Sequence, residues 1–187
     1  MTVDQQSWEA AVHHLYRDAY AYIATGPRRH DDWTLDVVAV MARAVTDPRG
    51  WTGQDDAAED PARRGDPKYP FADHSPEYIA PRLHEIDRAS AENLLLALTE
   101  DGCTLSNLRY FDESPDELHA MARSILARYG DDATFHTNVH KPDTARGTLD
   151  FTTTSRSYSP LSVYSEDSGL VVVADTEMGM FWNFADY

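Results

Sequence analysis

Two periodicities divide the sequence and predict an α+β domain, with a helical N-terminal part of about four to five helices packed on a C-terminal antiparallel β-meander. Apolar residues recur at helical spacing through most of the first 130 residues, and from Ala133 they alternate with a period of two. A chain of 187 residues, 42% hydrophobic and 11% aromatic, is long and apolar enough for one core, so residues 1–187 are read as a single domain.

The first helix is expected to start at the N-cap Ser7, with Glu9 in its first turn. Trp8, Val12, Leu15, Tyr16, Ala19 and Ile23 make one apolar stripe, and Gly26-Pro27 would end the helix. Asp31-Asp32 caps a second helix carrying Leu35, Val38, Met41, Ala42 and Val45, closed by Asp47-Pro48. Residues 47–74 have no period, and their four prolines, three glycines and seven acids predict a long irregular acidic loop. Trp51, Tyr69 and Phe71 argue that its ends pack on something. Ser75-Pro76-Glu77 reads as N-cap, N1 proline and first-turn acid of a helix that Pro81 keeps short or bent. Ser90 to Thr99, with Leu94, Leu95, Leu96 and Leu98, is a further helix, and residues 103–111 read as a strand or a loop.

The sharpest local signal is SPDELHAMARSILARYG. Ser114 caps, Pro115 takes N1, Glu117 completes a capping box, and Gly130 stops the helix. Beyond it, Ala133, Phe135, Thr137 and Val139 share one face of a strand, and Leu149, Phe151, Thr153 and Ser155 one face of the next. Glu166 to Gly169 reads as a hairpin connection. Leu170 to Ala174 is apolar on both faces, as in a covered strand, and Met178, Met180, Trp182 and Phe184 line one side of the last strand.

Charge is the strongest global feature. Thirty-two acids against 16 bases give a net charge of -16, spread over both halves of the chain. Such a field repels nucleic acid and anionic lipid, and it steers a basic partner inward. No Lys or Arg follows Arg156, whereas Glu166, Asp167, Asp175, Glu177 and Asp186 do. The start, MTVDQQSWEA, has no basic or apolar leader character, and the longest apolar run is Leu170 to Ala174. A cytoplasmic protein without membrane contact is therefore expected. The single cysteine excludes a disulfide framework.

Motifs for chemistry are sparse. His136 and His140 have the spacing of a helical zinc pair, but on a strand they stand roughly 13 Å apart. His13 and His14 point about 100° apart on a helix. Cys103 follows a helix end rather than a helix start, no G-x-S-x-G elbow occurs, and no phosphate-cradling loop is present. No cofactor or metal ligand set is expected.

The reading that follows is an acidic protein-binding domain that occludes a basic partner. In broad build it is similar to the immunity proteins of bacterial toxin systems, which are small, acidic and catalytically silent; no motif carries the likeness and no family is assigned. Glu166, Asp167, Asp175 and Glu177 are expected to pair with the partner's bases, with Trp51, Phe181 and Tyr187 as aromatic anchors. The alternative is a small hydrolase or transferase using His119, His136 or His140 with a nearby Asp, under a lid formed by 47–74. A third is a scaffold whose helical face buries against a constant partner.

Overall fold

The computed structural model describes residues 5–45, 65–140, 151 and 157–185. Trp51, Tyr187, most of the 47–74 loop and the strand expected at 149–155, Phe151 apart, lie outside the described residues. Helix α1 (Gln5–Tyr16) leads into strand β1 (Ala21–Pro27), then α2 (Trp33–Met41) and the short α3 (Pro76–Ile79) with a 3-10 turn at Ala80–Arg82. Strand β2 (His84–Ile86), α4 (Arg88–Ala97), a 3-10 segment at Leu105–Tyr110 and α5 (Pro115–Ala127) follow. The chain then runs through β3 (Thr134–Thr137), β4 (Val139–His140), β5 (Ser157–Tyr158), β6 (Glu166–Val173) and β7 (Glu177–Ala185).

The division into a helical front and a β-meander is wrong. Five strands form one sheet in the order β1-β7-β6-β3-β2, antiparallel at every step, while β4 and β5 pair separately. Two of the five come from among the helices. The error has a physical cause. Ala19 and Ile23 continue the spacing of the α1 stripe, yet every residue from Ala21 to Gly26 is buried, and the backbone pairs with β7 from Ala21↔Asn183 to Pro27↔Glu177. A helix buries one stripe, whereas a run buried on all sides fits a covered strand.

A second correction concerns residues 166–169, which lie inside β6 and are not a turn. Gly169 is there because the Trp182 indole lies on it, and a Cβ at that position would stand 2.0 Å from the ring. The turn is instead at 174–176, closed by the Ala174 amide donating to the Glu177 carbonyl at 2.9 Å.

Both sheet faces are apolar and both are covered. Ala21, Ile23, Leu170, Val172 and Phe181 face a core built with α1, α4 and α5, centred on Trp8, Leu94 and Leu118. Tyr22, Ala24, Val171, Met178, Met180, Trp182 and Phe184 face the other core, with α2, Phe71, Ile79 and Leu161. The alternation in β7 therefore separates two cores rather than core from solvent.

Helix ends obey local chemistry. Asp32 caps α2 by accepting from the Thr34 amide, and Asp87 caps α4 through the Ser90 amide. Ser75 caps α3. At α5 the full capping box forms, the Ser114 amide donating to Glu117 at 2.8 Å. Such caps contribute about 1 kcal/mol each. Among the described residues no helix is long and apolar enough to cross a membrane.

Candidate protein-docking groove

Helices α1 and α5 lie side by side on the first sheet face, running in opposite directions. Arg128 at the end of α5 donates to the Gln5 side chain at the start of α1. At the opposite end, His14 Nε2 lies 2.9 Å from Glu113 Oε1, just before α5. Trp8, Val12 and Leu15 of α1 and Leu118, Ala122 and Ile125 of α5 turn inward and are fully buried. The residues flanking those stripes leave a groove between the helices of about 620 Å³.

Its walls are Ser7, Ala10, Ala11 and His14 on α1 and Glu117, Ala120, Met121 and Ser124 on α5. Each wall uses residues spaced three, one and three apart, the positions that share a helix face. Small side chains keep it open, and Met121 supplies a half-buried, adaptable apolar surface. The acids sit at one end. Glu113 is held ionised below the usual carboxylate range, chiefly by its own backbone amide and then by His14. The Ser114 hydroxyl, followed by the Ser114 amide, does the same for Glu117. Glu113 and Glu117 thus line one end of the groove beside His14, with Arg17 also acting on Glu113, and Asp112 and Asp116 are exposed chain neighbours of the two.

The carboxylates and aromatics expected to meet a partner lie differently. Asp175 is exposed in the β6–β7 turn and Glu166 is half-buried at the start of β6. Asp167 is completely buried, its carboxylate accepting from the Leu161 and Ser162 amides, Asn138 Nδ2 and Trp182 Nε1. Glu177 is 8% exposed and bound by Arg128 through two 2.8 Å contacts. Phe181 lies in the first core, between Trp8 and Tyr129. Asp167 and Phe181 are wholly enclosed, and Glu177 is nearly so. Trp51 and Tyr187 fall outside the described residues.

The histidines do not converge. His119 lies on the outer helical layer, its Nδ1 2.7 Å from Glu92, which Arg123 also reaches. His136 stacks on Trp33 at 4.4 Å on the opposite sheet face. His140 meets His84 edge to face at 5.2 Å. Among the described residues no group of three or more His, Cys, Asp or Glu is disposed around a metal position.

One constellation went unread. Buried Asp36 accepts from Arg28 Nε at 3.0 Å and lies 2.7 Å from His30 Nδ1. Arg28 also donates to the carbonyls of Ala174, His30 and Asp31. The cluster ties the β1–α2 loop to the β6–β7 turn.

The groove was also unread, although small residues at matched spacing on two amphipathic helices were its available signal. In the sequence its acids merge into the net charge, and nothing local says that residues 7–14 and 113–124 are neighbours. Compared with models of known families, with curated proteins and with solved structures, the chain matches none, and the groove is understood from its own geometry.

Proposed function

We propose that this protein is an acidic protein-binding module of the immunity or antitoxin type, which docks on a basic partner in the cytoplasm and occludes it. The α1–α5 groove is the observation that carries the reading: a largely apolar groove with Glu113 and Glu117 at one end and exposed Asp112 and Asp116 next to them in the chain. The net charge of -16 adds long-range steering toward a basic surface, and the apolar walls add area that excludes water. Asp112, Glu113, Asp116 and Glu117 pair with Lys or Arg of the partner, and the groove receives the apolar surface between those bases. Nucleic acid is disfavoured by the same field.

The test uses the tagged protein as bait in a lysate of its source, with rising salt in the washes. The control is the Asp112→Lys, Asp116→Lys, Ala120→Arg variant, which reverses two flanking charges and fills the channel. These three positions are exposed. One basic protein held in stoichiometric amount by the wild type, released by salt and lost from the variant, is the expected result. No captured protein, or equal capture by the variant, would overturn the reading.

A further inference from the structure

We infer that the occupant of the α1–α5 groove is an amphipathic basic helix of the partner, laid along the channel with its Lys or Arg residues over Glu113 and Glu117. The inference rests on the docking reading above and names the partner's chemistry.

Three observations specify a helix. First, the channel is bounded by two antiparallel helices and its walls follow the three-one-three spacing of helix faces, so its length is that of two turns, roughly 10 Å. Second, Ala10, Ala11, Ala120 and Ser124 are small enough for a third backbone to approach to the 8–10 Å typical of packed helices. An extended strand would instead need an open sheet edge for its amides, and two helices provide none. Third, the two ends of the channel differ in charge. The Glu113 and Glu117 end is acidic, whereas the Ser7 and Ser124 end adjoins Arg128, already bound to Glu177. A helix with an apolar stripe and a basic end is complementary to that asymmetry. A second copy of this chain meeting groove to groove is not, because it brings the same carboxylates to the contact.

Met121 makes the inference measurable. Of the five methionines, Met41, Met178 and Met180 are buried against the other sheet face, so with the Met121 methyl assigned by its loss in Met121→Leu, and thereby told from Met1, a methyl label reports the groove. The probe is a synthetic 14-residue peptide of Leu and Lys with Leu at helical spacing. Its control has the same composition scrambled so that no apolar stripe forms. In about 0.15 M salt, the amphipathic peptide should shift the Met121 methyl saturably and leave the buried methionines in place. The scrambled peptide should bind at least about tenfold more weakly, a difference of about 1.4 kcal/mol. Ala120→Arg should abolish the Met121 shift.

Equal affinity for both peptides, or an unmoved Met121 methyl, would overturn the helical occupant. So would a Met121 shift that grows with protein concentration without peptide, since that marks self-association. If the peptide fails while the bait still captures a basic protein through the groove, the helix falls and the docking reading stands. If the bait captures nothing, the docking reading falls instead.

Discussion

The buried acids of the β6–β7 hairpin and the exposed acids beside the α1–α5 groove are the same residue types put to opposite uses. Asp167 is enclosed by four donors from Asn138, Leu161, Ser162 and Trp182. Glu177 takes two 2.8 Å contacts from the Arg128 guanidinium. Both hold the fold together from inside. Glu113 and Glu117 are also bonded locally, to His14 and Ser114, yet about a third of the Glu113 side chain stays in water and Glu117 is exposed. The difference teaches that an acid's role depends on who donates to it and on whether water still reaches it. A run of carboxylates without nearby Lys or Arg in the sequence marks neither a surface nor a partner site.

The largest effect expected from breaking this contrast is at Asp167. Asp167→Ala leaves three donors unanswered, the Leu161 and Ser162 amides and Trp182 Nε1, since Asn138 Nδ2 keeps the Ser159 and Asp167 carbonyls; orphaned donors cost about 1–3 kcal/mol each, moderated by any water that enters. A loss of about 4 kcal/mol in urea unfolding is expected. A loss under about 1 kcal/mol would mean that the carboxylate does not organise the 161–162 segment. Arg128→Met comes next, at about 3 kcal/mol, because it removes the countercharge of a Glu177 carboxylate with only a tenth of its side chain exposed. The double variant Arg128→Met, Glu177→Gln should recover most of that loss, since the penalty belongs to the charge left without that guanidinium. No recovery would show that the guanidinium acts mainly by packing on Trp8, over which it lies at 4.7 Å.

How far the sequence discloses this molecule follows from whether the controlling interaction is local. The caps of α2, α3 and α5 are decided within four residues, and each is legible. So is the two-sided burial expected of Leu170 to Ala174, which holds from Leu170 to Val173. Strand β1 is not, because no glycine or proline separates it from α1 and its alanines and isoleucine fit both periods. The segment from Glu166 to Gly169 has the composition of a turn, and only the ring of Trp182, 13 residues away, requires glycine inside a strand there. Gly169→Ala tests that account: about 2 kcal/mol of destabilisation is expected from overpacking against the indole. An unchanged melting temperature would remove it. The groove is least legible of all, since its two walls lie about a hundred residues apart in the chain.

A smaller effect separates buried from exposed groups by pH. Burial pushes the His136 pKa below its ordinary 6.5, against the opposing pull of Glu85. His84 moves the same way, through burial and then His140. With the folded pKa below the unfolded one, the unfolded chain takes up the proton first as pH falls. The contribution is therefore complete above about pH 6.5 and is lost as pH drops through the lowered folded value. The urea midpoint should fall between pH 7.5 and 5.5, less steeply in His136→Gln and more steeply in Glu85→Gln. Parallel slopes in all three proteins would place the acid sensitivity elsewhere.

The smallest effect on stability is expected where the effect on binding is largest. Asp112 and Asp116 are exposed, and Asp116 sits in the first turn of α5, where the helix dipole favours an acid. Replacing both by Lys should cost less than about 1 kcal/mol in unfolding, because water screens the lost interaction. The same change should slow association with a basic partner and flatten its salt dependence, since exposed charges act on the encounter more than on the bound complex. Stopped-flow association at several ionic strengths separates the two consequences. A variant that unfolds easily but associates at the wild-type rate would reverse the contrast, making these acids structural like Asp167. A variant that stays folded and binds slowly would show that the same residue type serves two uses in one chain, divided by access to water.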